Sequence, residues 1–172
     1  MKHKPILIIQ GENHVNTIPE GLKSLDATII PSGQSSYFVD NVGLFPSVTP
    51  KALVTTHPLM GLDWILDVWI KYIHTKLPWA ELHIFSQTLS AKSFGKNVKI
   101  NNLKLKLYEC KDEGIFIKKP LIESEFVNSL NNYRVHLNPA INSDLFSSSI
   151  LESQAAGIPV VSRINANIHE SI

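Results

Sequence analysis

The chain has 172 residues, of which 44% are hydrophobic, and its 16 basic and 15 acidic residues leave a formal charge of +1. This length suits one domain, or one domain and a fragment of another, and the balanced charge excludes a global field that would attract nucleic acid or a membrane. The single cysteine, Cys110, excludes an internal disulfide framework and a cysteine-based zinc cluster. The apolar run at residues 6–9 is too short for a signal or membrane segment. We therefore predict a cytoplasmic protein, with peripheral attachment to a membrane as the second option.

The first 50 residues contain two short apolar runs. Residues 5–10 predict a buried strand and residues 27–30 a second strand, because glycine, proline and polar residues bound both runs. His14 lies in the loop behind the first run, where an exposed histidine without a function is the simpler interpretation. Residues 41–51 contain a glycine, two prolines and little charge, and they predict a linker.

The next segment predicts a strand, a helix and another strand. Residues 52–56 form an apolar run that leads into a tight loop at residues 58–61. Apolar side chains then recur at helical spacing from Leu62 to Ile73, and a second apolar run follows at residues 82–85. We interpret the aromatic residues of this helix as core residues rather than as groups that stack on a ligand.

Residues 96–111 carry five lysines, and within them residues 98–100 and 103–107 alternate apolar with polar side chains. This period of two predicts a hairpin or an edge strand around Asn101 and Asn102. The lysines are interpreted as a solvated edge that prevents aggregation. A basic stripe for anionic lipid or nucleic acid is the alternative, and the lack of interleaved aromatic residues counts against it. We expect no nucleic-acid partner.

The last third of the chain predicts a strand at residues 114–118, a helix at residues 124–130 and then one strand–helix–strand unit. This unit has its strands at residues 133–137 and 158–161, and Gly157 stands where a left-handed residue ends a helix. Such units build parallel sheets, whose loops at the carboxyl ends of the strands carry ligands. Three serines, Ser147, Ser148 and Ser149, begin the helix, where free backbone N–H groups suit a phosphate.

Two motifs give the sequence a family resemblance. One runs from Asp144 through Glu152 to AAGIPVVS at residues 155–162, and the other is residues 57–86, with a Gly-Leu helix start and a Pro-x-Ala-x-Leu return into a strand. Together they resemble the nucleotide-sugar domain of retaining GT-B glycosyltransferases of family four, the glycosyl transferases group 1. The resemblance implies an α/β fold with a Rossmann-like parallel sheet flanked by helices. It also implies a remnant of an acceptor-side domain and linker at residues 1–45, and a truncated donor domain at residues 46–172.

The resemblance assigns roles by position. Glu152 would bind the ribose of the donor, and Asp144 would be the catalytic-site acid that contacts the sugar. Phosphate would be held by the start of the helix (Phe146, Ser147, Ser148 and Ser149) and by His57 when protonated, while His14 would face the acceptor side. The simpler interpretations are a helix-surface carboxylate for Glu152 and a plain N-cap for Asp144. A nucleotide sugar is the implied donor substrate, with neither a cofactor nor a metal.

The chain also departs from the family pattern. Met60 stands where the family has an arginine or lysine for the diphosphate, and a missing charge there costs roughly 2–4 kcal/mol of transition-state stabilisation. Asp144 is shorter than the usual glutamate, and Ser147 replaces a glycine. We therefore predict a minimal or truncated glycosyltransferase that acts with retention on a glycan or lipid-linked acceptor. A homodimer or a partner glycosyltransferase chain would complete its site. The alternative is a catalytically silent, glycosyltransferase-like binding or regulatory module.

Overall fold

A computed structural model describes residues 5–15, 18–40, 47–91, 93–139 and 148–163. These residues form two parallel sheets, one of two strands and one of five. The predicted linker residues 41–46, together with Asp144, Phe146 and Ser147, lie outside the described part of the chain.

The two-stranded sheet lies in the N-terminal 40 residues. It pairs β1 (Ile6–Ile9) with β2 (Asp26–Ile29), and helix α1 (Glu12–Val15) and a 3₁₀ turn (Glu20–Leu22) connect them. Both strands were predicted, but the prediction that the first is buried is wrong. Ile6 is 66% exposed and Ile8 is 64% exposed, and as alternate residues they lie on one face of the strand, whereas Ile9 on the other face is 8% exposed.

The five-stranded sheet confirms the predicted parallel α/β fold. Its order is β5 (Ile115–Lys118), β4 (Glu81–Phe85), β3 (Lys51–Val54), β6 (Val135–Asn138) and β7 (Val160–Ser162), with every neighbouring pair parallel. The central strand β3 is buried from Ala52 to Val54, as expected for a strand covered on both faces. The chain runs outward from β3 to β5 and then returns to β6 on the other side of β3.

Helices cover both faces of this sheet. On one face α3 (Leu62–Val68), a following π-helical segment (Trp69–His74), α4 (Gln87–Ser90) and α5 (Val98–Glu109) enclose a core around Leu66, Trp69 and Ile84. On the other face α2 (Ser36–Asp40), α6 (Glu123–Leu130) and α7 (Ser148–Ala155) contribute to a second core. In the described part of the chain, no helix is long and apolar enough to cross a membrane.

The prediction of a hairpin or edge strand at residues 98–107 is wrong, because this segment is the helix α5. Ile100 and Leu103 are buried at helical spacing, and Leu107 packs against the same core. The side-chain oxygen of Asn97 accepts hydrogen bonds from the backbone N–H groups of Lys99 and Ile100 and caps the first turn. The apolar residues fit periods of two and of 3.6, and the cap and the core contact decide for the helix.

The lysines of α5 therefore line a helix and not a sheet edge. Lys106 bridges two carboxylates of α3, with its Nζ 2.6 Å from Asp63 Oδ1 and 2.7 Å from Asp67 Oδ1. Lys104 Nζ donates to the carbonyl oxygens of Ala91 and Ser93, at 2.7 Å each. These contacts hold the surface of the domain together and give the two lysines a structural role.

Candidate functional site

The strand order places a topological switch point between β3 and β6. In open parallel sheets, the loops at the carboxyl ends of the two strands diverge at such a point and leave a crevice where ligands bind. Thr55 and Thr56 follow β3 directly, and Asn138 ends β6. The switch point is therefore the part of this fold in which a ligand site is expected.

A row of polar side chains crosses this edge of the sheet. Thr56 Oγ1 donates to Asn138 Oδ1 at 2.8 Å, and Asn138 Nδ2 donates to Ser162 Oγ at 3.2 Å. Asn138 is 5% exposed, so both bonds are largely shielded from water. The row ties the ends of β3, β6 and β7 together, and our sequence analysis did not identify it. The available signal was an asparagine and a histidine inside the apolar run of β6.

His136, in the middle of β6, joins the loop after β3 to helix α7. Its ring is fully buried, with Nε2 3.1 Å from Thr55 Oγ1 and Nδ1 2.9 Å from Ser153 Oγ. The ring also hydrogen-bonds the backbone of Ser149. In the neutral ring one nitrogen donates and the other accepts, and the hydroxyl groups of Thr55 and Ser153 can each take either role. Burial lowers the pKa of His136 to about 4, which keeps this bridge neutral.

Gly61 fixes the second contact between the two loops of the switch point. It precedes α3 with φ of 102°, in the left-handed region that favours glycine. A Cβ atom on Gly61 would lie 2.3 Å from the carbonyl oxygen of Pro139, which follows β6. The glycine therefore allows the start of α3 and the exit of β6 to approach within backbone contact.

Helix α7 carries three of the predicted site residues, Ser148, Ser149 and Glu152. Glu152 is half-buried, and burial, together with the charge of Glu123 on α6, raises the pKa of its carboxyl. Ser148 is exposed and Ser149 half-buried in the first turn, where backbone N–H groups have no partner within the helix. The arrangement offers one carboxylate and one helix N-terminus on the helix that follows β6.

A cation reaches the same edge from a position that the sequence analysis did not consider. Arg163 directly follows β7, and its Cζ lies 4.6 Å from the centre of the Trp64 ring on α3. Cation–π contact holds the guanidinium against the helix whose N-terminus begins at Gly61. Met60 leaves the loop after β3 without a lysine or arginine, and Arg163 brings a positive charge to the helix that follows this loop.

No protein-family model and no curated protein matches the sequence. Solved structures do match. The chain superposes on sucrose-phosphate synthase from Thermosynechococcus elongatus with a TM-score of 0.70 at 12% identity, covering 97% of this chain and 42% of that one. A mutant of S. aureus TarM, in complex with Fondaparinux, alpha-GlcNAc-glycerol and UDP, gives a TM-score of 0.69 at 13% identity over 95% of this chain. The pneumococcal O-GlcNAc transferase GtfA, in complex with UDP and GlcNAc, gives a TM-score of 0.63 at 16% identity over 95%.

The chain has a GT-B-type, Rossmann-like fold. Its neighbours are GT-B glycosyltransferases, and at these identities the likeness concerns the fold. The chain spans 31% of the length of GtfA, 31% of that of TarM and 42% of that of the synthase.

Within the GT-B-type fold, two of the predicted site residues lie on elements other than α7. His57 is exposed in the loop after β3, and its Nδ1 accepts a hydrogen bond from the backbone N–H of Leu59 at 3.3 Å. His14 lies in α1 beside the two-stranded sheet, where its Nδ1 accepts from the backbone N–H of Gln10 at 3.2 Å. Their proposed roles toward phosphate and acceptor remain predictions.

Proposed function

We propose that this chain binds a nucleotide-diphosphate sugar at the switch point and is part of a retaining glycosyltransferase of family four. The observation that carries the proposal is the position of Glu152, half-buried on α7, the helix between the adjacent strands β6 and β7. A carboxylate there can accept hydrogen bonds from two ribose hydroxyl groups. The first turn of α7 can place backbone N–H groups against a phosphate.

The chemistry requires a held donor and a neutralised leaving group. As the sugar–phosphate bond breaks, negative charge grows on the diphosphate, and donors aimed at that charge lower the barrier. The N-terminal turn of α7 and the guanidinium of Arg163 are the groups of this chain that we assign to it. His136 holds α7 against the loop after β3, so these groups keep their mutual geometry.

Titration calorimetry with UDP, GDP and their sugar conjugates tests the donor site. We expect one nucleotide to bind with micromolar affinity and Glu152→Ala to weaken it at least tenfold, because the ribose loses a charge-assisted hydrogen-bond partner. Glu125→Ala is the matched control, since it removes an exposed carboxylate from α6. If no nucleotide binds at millimolar concentration, the donor site does not exist and the silent-module alternative stands in its place.

Arg163 gives a second prediction about the same site. Arg163→Gln is expected to weaken binding of the diphosphate nucleotide about tenfold and that of the parent nucleoside little, because the guanidinium acts on phosphate charge. The matched control is Arg134→Gln, whose guanidinium is exposed and donates to the carbonyl of Ser47. Equal losses for nucleotide and nucleoside would show that Arg163 does not contact the phosphates.

The remaining part of the proposal concerns the acceptor wall, by which we mean the side of the site that would bind the sugar acceptor. We infer that residues 46–172 form the donor-side part and that residues 1–45 belong to the acceptor-side domain and linker. The two separate sheets and the coverage of about a third to two-fifths of the neighbours support this division. A homodimer or a partner chain would supply the rest of the wall for a glycan or lipid-linked acceptor. The solved complex of GtfA with GtfB offers a precedent for two such chains assembling.

A further inference from the structure

A cavity of about 400 Å³ lies on the sheet face between β4, β5 and helix α6. Lys51, Lys118 and Lys119 line it, together with polar and apolar side chains, and no acidic residue is among the lining residues of the described chain. Its apolar wall includes Phe85, which belongs to the core beneath α6 and α7, so the cavity is on the face opposite α3 and α5. It is separate from the switch point and from the proposed donor site.

The lysines of this cavity carry more positive charge than the described residues balance. Lys51 Nζ lies 3.3 Å from Glu81 Oε2 and is thereby compensated. Lys118 Nζ lies 5.6 Å from the centre of the Phe116 ring, and within the described residues neither Lys118 nor Lys119 has a carboxylate partner. Three positive charges and one negative charge leave two uncompensated positive charges around the cavity.

Two of the lining residues, His83 and Tyr133, belong to a hydrogen-bonded chain of three side chains that begins at Glu81. His83 is 7% exposed, its Nε2 lies 2.8 Å from Glu81 Oε2, and its Nδ1 lies 2.8 Å from the hydroxyl of Tyr133. A carboxylate only accepts, so Nε2 carries the proton and the Tyr133 hydroxyl donates to Nδ1. In this state Tyr133 has no proton to offer to a ligand.

Protonation of His83 would reverse the last bond of the chain. Nδ1 would then donate to the Tyr133 oxygen, and the tyrosine O–H would turn toward the cavity. The charged groups around His83 are Glu81 on β4, Lys51 on β3 and Lys118 on β5, while α6 contributes the uncharged Ser129 and Asn132. Burial lowers the pKa of His83, and the two lysines lower it further against the opposing effect of Glu81.

We propose that this cavity binds the dianionic, tetrahedral oxyanion of a small phosphate monoester and that His83 takes up a proton as the ligand binds. The two uncompensated lysines match the two charges, and ammonium groups bind phosphate as point charges. The anion offsets the repulsion between the lysines and a protonated imidazole, and the released Tyr133 O–H becomes a further donor to it. Phe85 and Leu121 offer apolar contact to the organic part of the monoester.

Sulfate is the probe, because it has the same shape and charge and does not titrate in the relevant pH range. We expect NMR titration with sulfate to shift the signals of His83, Lys118 and Tyr133 and to give a roughly tenfold higher affinity at pH 5.5 than at pH 7.5. Lys118→Gln combined with Lys119→Gln should weaken binding at least tenfold, since two charge-assisted contacts are lost. His83→Asn should remove most of the pH dependence.

The control carries the same change of charge on the opposite face. Lys71→Gln combined with Lys76→Gln removes two exposed lysines from the helix after α3 and from its end. Equal weakening by both double variants would mean non-specific attraction and would overturn the site. Shifts confined to Ser148 and Ser149 would place the anion at α7 instead. An unchanged pH dependence in His83→Asn would refute proton uptake by His83. Nucleotide binding is not involved, so this test stands or fails independently of the donor site.

Discussion

Replacing Gly61 by alanine is expected to destabilise the protein by roughly 3–5 kcal/mol. Two costs contribute to this loss. A side chain at φ of 102° is strained in the left-handed region, and the new Cβ atom would lie 2.3 Å from the carbonyl oxygen of Pro139. A clash with a backbone carbonyl cannot be relieved by a rotamer change, as a clash with a flexible side chain can. The exit of β6 or the start of α3 must therefore shift.

Urea unfolding, followed by circular dichroism, measures the loss in the free energy of unfolding, and thermal unfolding measures the melting temperature. For a chain of this size, the expected loss corresponds to a fall of roughly 10 °C in the melting temperature. Gly95→Ala is the matched control, because a Cβ atom there has no heavy atom within 4 Å. A Gly61→Ala variant as stable as Gly95→Ala would show that the loops after β3 and β6 do not touch as described. Because the contact joins two walls of the switch point, the folded fraction of Gly61→Ala should also bind nucleotide less tightly.

The fold was predictable wherever local sequence and core pattern agreed. Residues 133–162 predicted a strand, a helix ended by glycine and a second strand, and the structure confirms them as β6, α7 and β7, with Gly157 at φ of 77°. The runs that became β3, β4 and β5 were also found. Buried parallel strands give continuous apolar runs, and their boundaries are marked by proline, glycine and polar residues.

Two predictions failed because a short apolar run does not determine its partners. Residues 98–107 fit a strand and a helix equally well, and the deciding facts are the Asn97 cap and the contact of Leu103 with the core. In β1 the apolar run predicted burial, yet Ile6 and Ile8 are exposed. An apolar run does not show which other elements cover the strand, and this is why the prediction failed.

The proposed site was predictable in its local part only. Glu152 and the serines before it lie on one helix, and their spacing could be read from the sequence. His136, Thr55 and Ser153 come from three separate elements, and only the pairing of β3 with β6 brings them together. The approach of Gly61 to Pro139 is equally non-local. The signal in the sequence was the presence of polar residues, His136 and Asn138, in the otherwise apolar strand β6. Such residues indicate that the end of a strand has a role besides core packing.

Acidification is expected to reveal the role of the His136 bridge. The pKa of His136 is about 4 in the folded protein against about 6.5 for an unperturbed histidine, so the unfolded chain binds the proton more tightly. The neutral bridge therefore contributes its full stability above pH 6.5, and that contribution is lost as the pH falls through the window from 6.5 to 4. The total loss is about 3 kcal/mol, since each pKa unit corresponds to about 1.36 kcal/mol.

A comparison of pH profiles isolates this contribution. Glu81 and His83 both have lowered pKa values, so they too lose stability on acidification, and the wild-type profile alone is a sum. The free energy of unfolding of His136→Gln should fall less steeply than that of the wild type between pH 6.5 and 4. His57→Gln, which removes an exposed histidine from the same edge, should keep the wild-type slope. NMR titration of the His136 ring in the wild type measures the pKa directly, and an ordinary value near 6.5 would contradict the buried bridge.

The same bridge connects stability to the proposed function. Protonated His136 must donate from both ring nitrogens, so the hydroxyl groups of Thr55 and Ser153 would both have to accept, whereas the neutral ring accepts from one partner. Burying a charge without a counter-ion is unfavourable by far more free energy than this one hydrogen bond contributes. The conformational change that costs the least free energy is the separation of α7 from the loop after β3. This change moves Glu152 and the first turn of α7 away from that loop. Nucleotide affinity should therefore fall with the onset of the acid transition, before the five-stranded sheet unfolds.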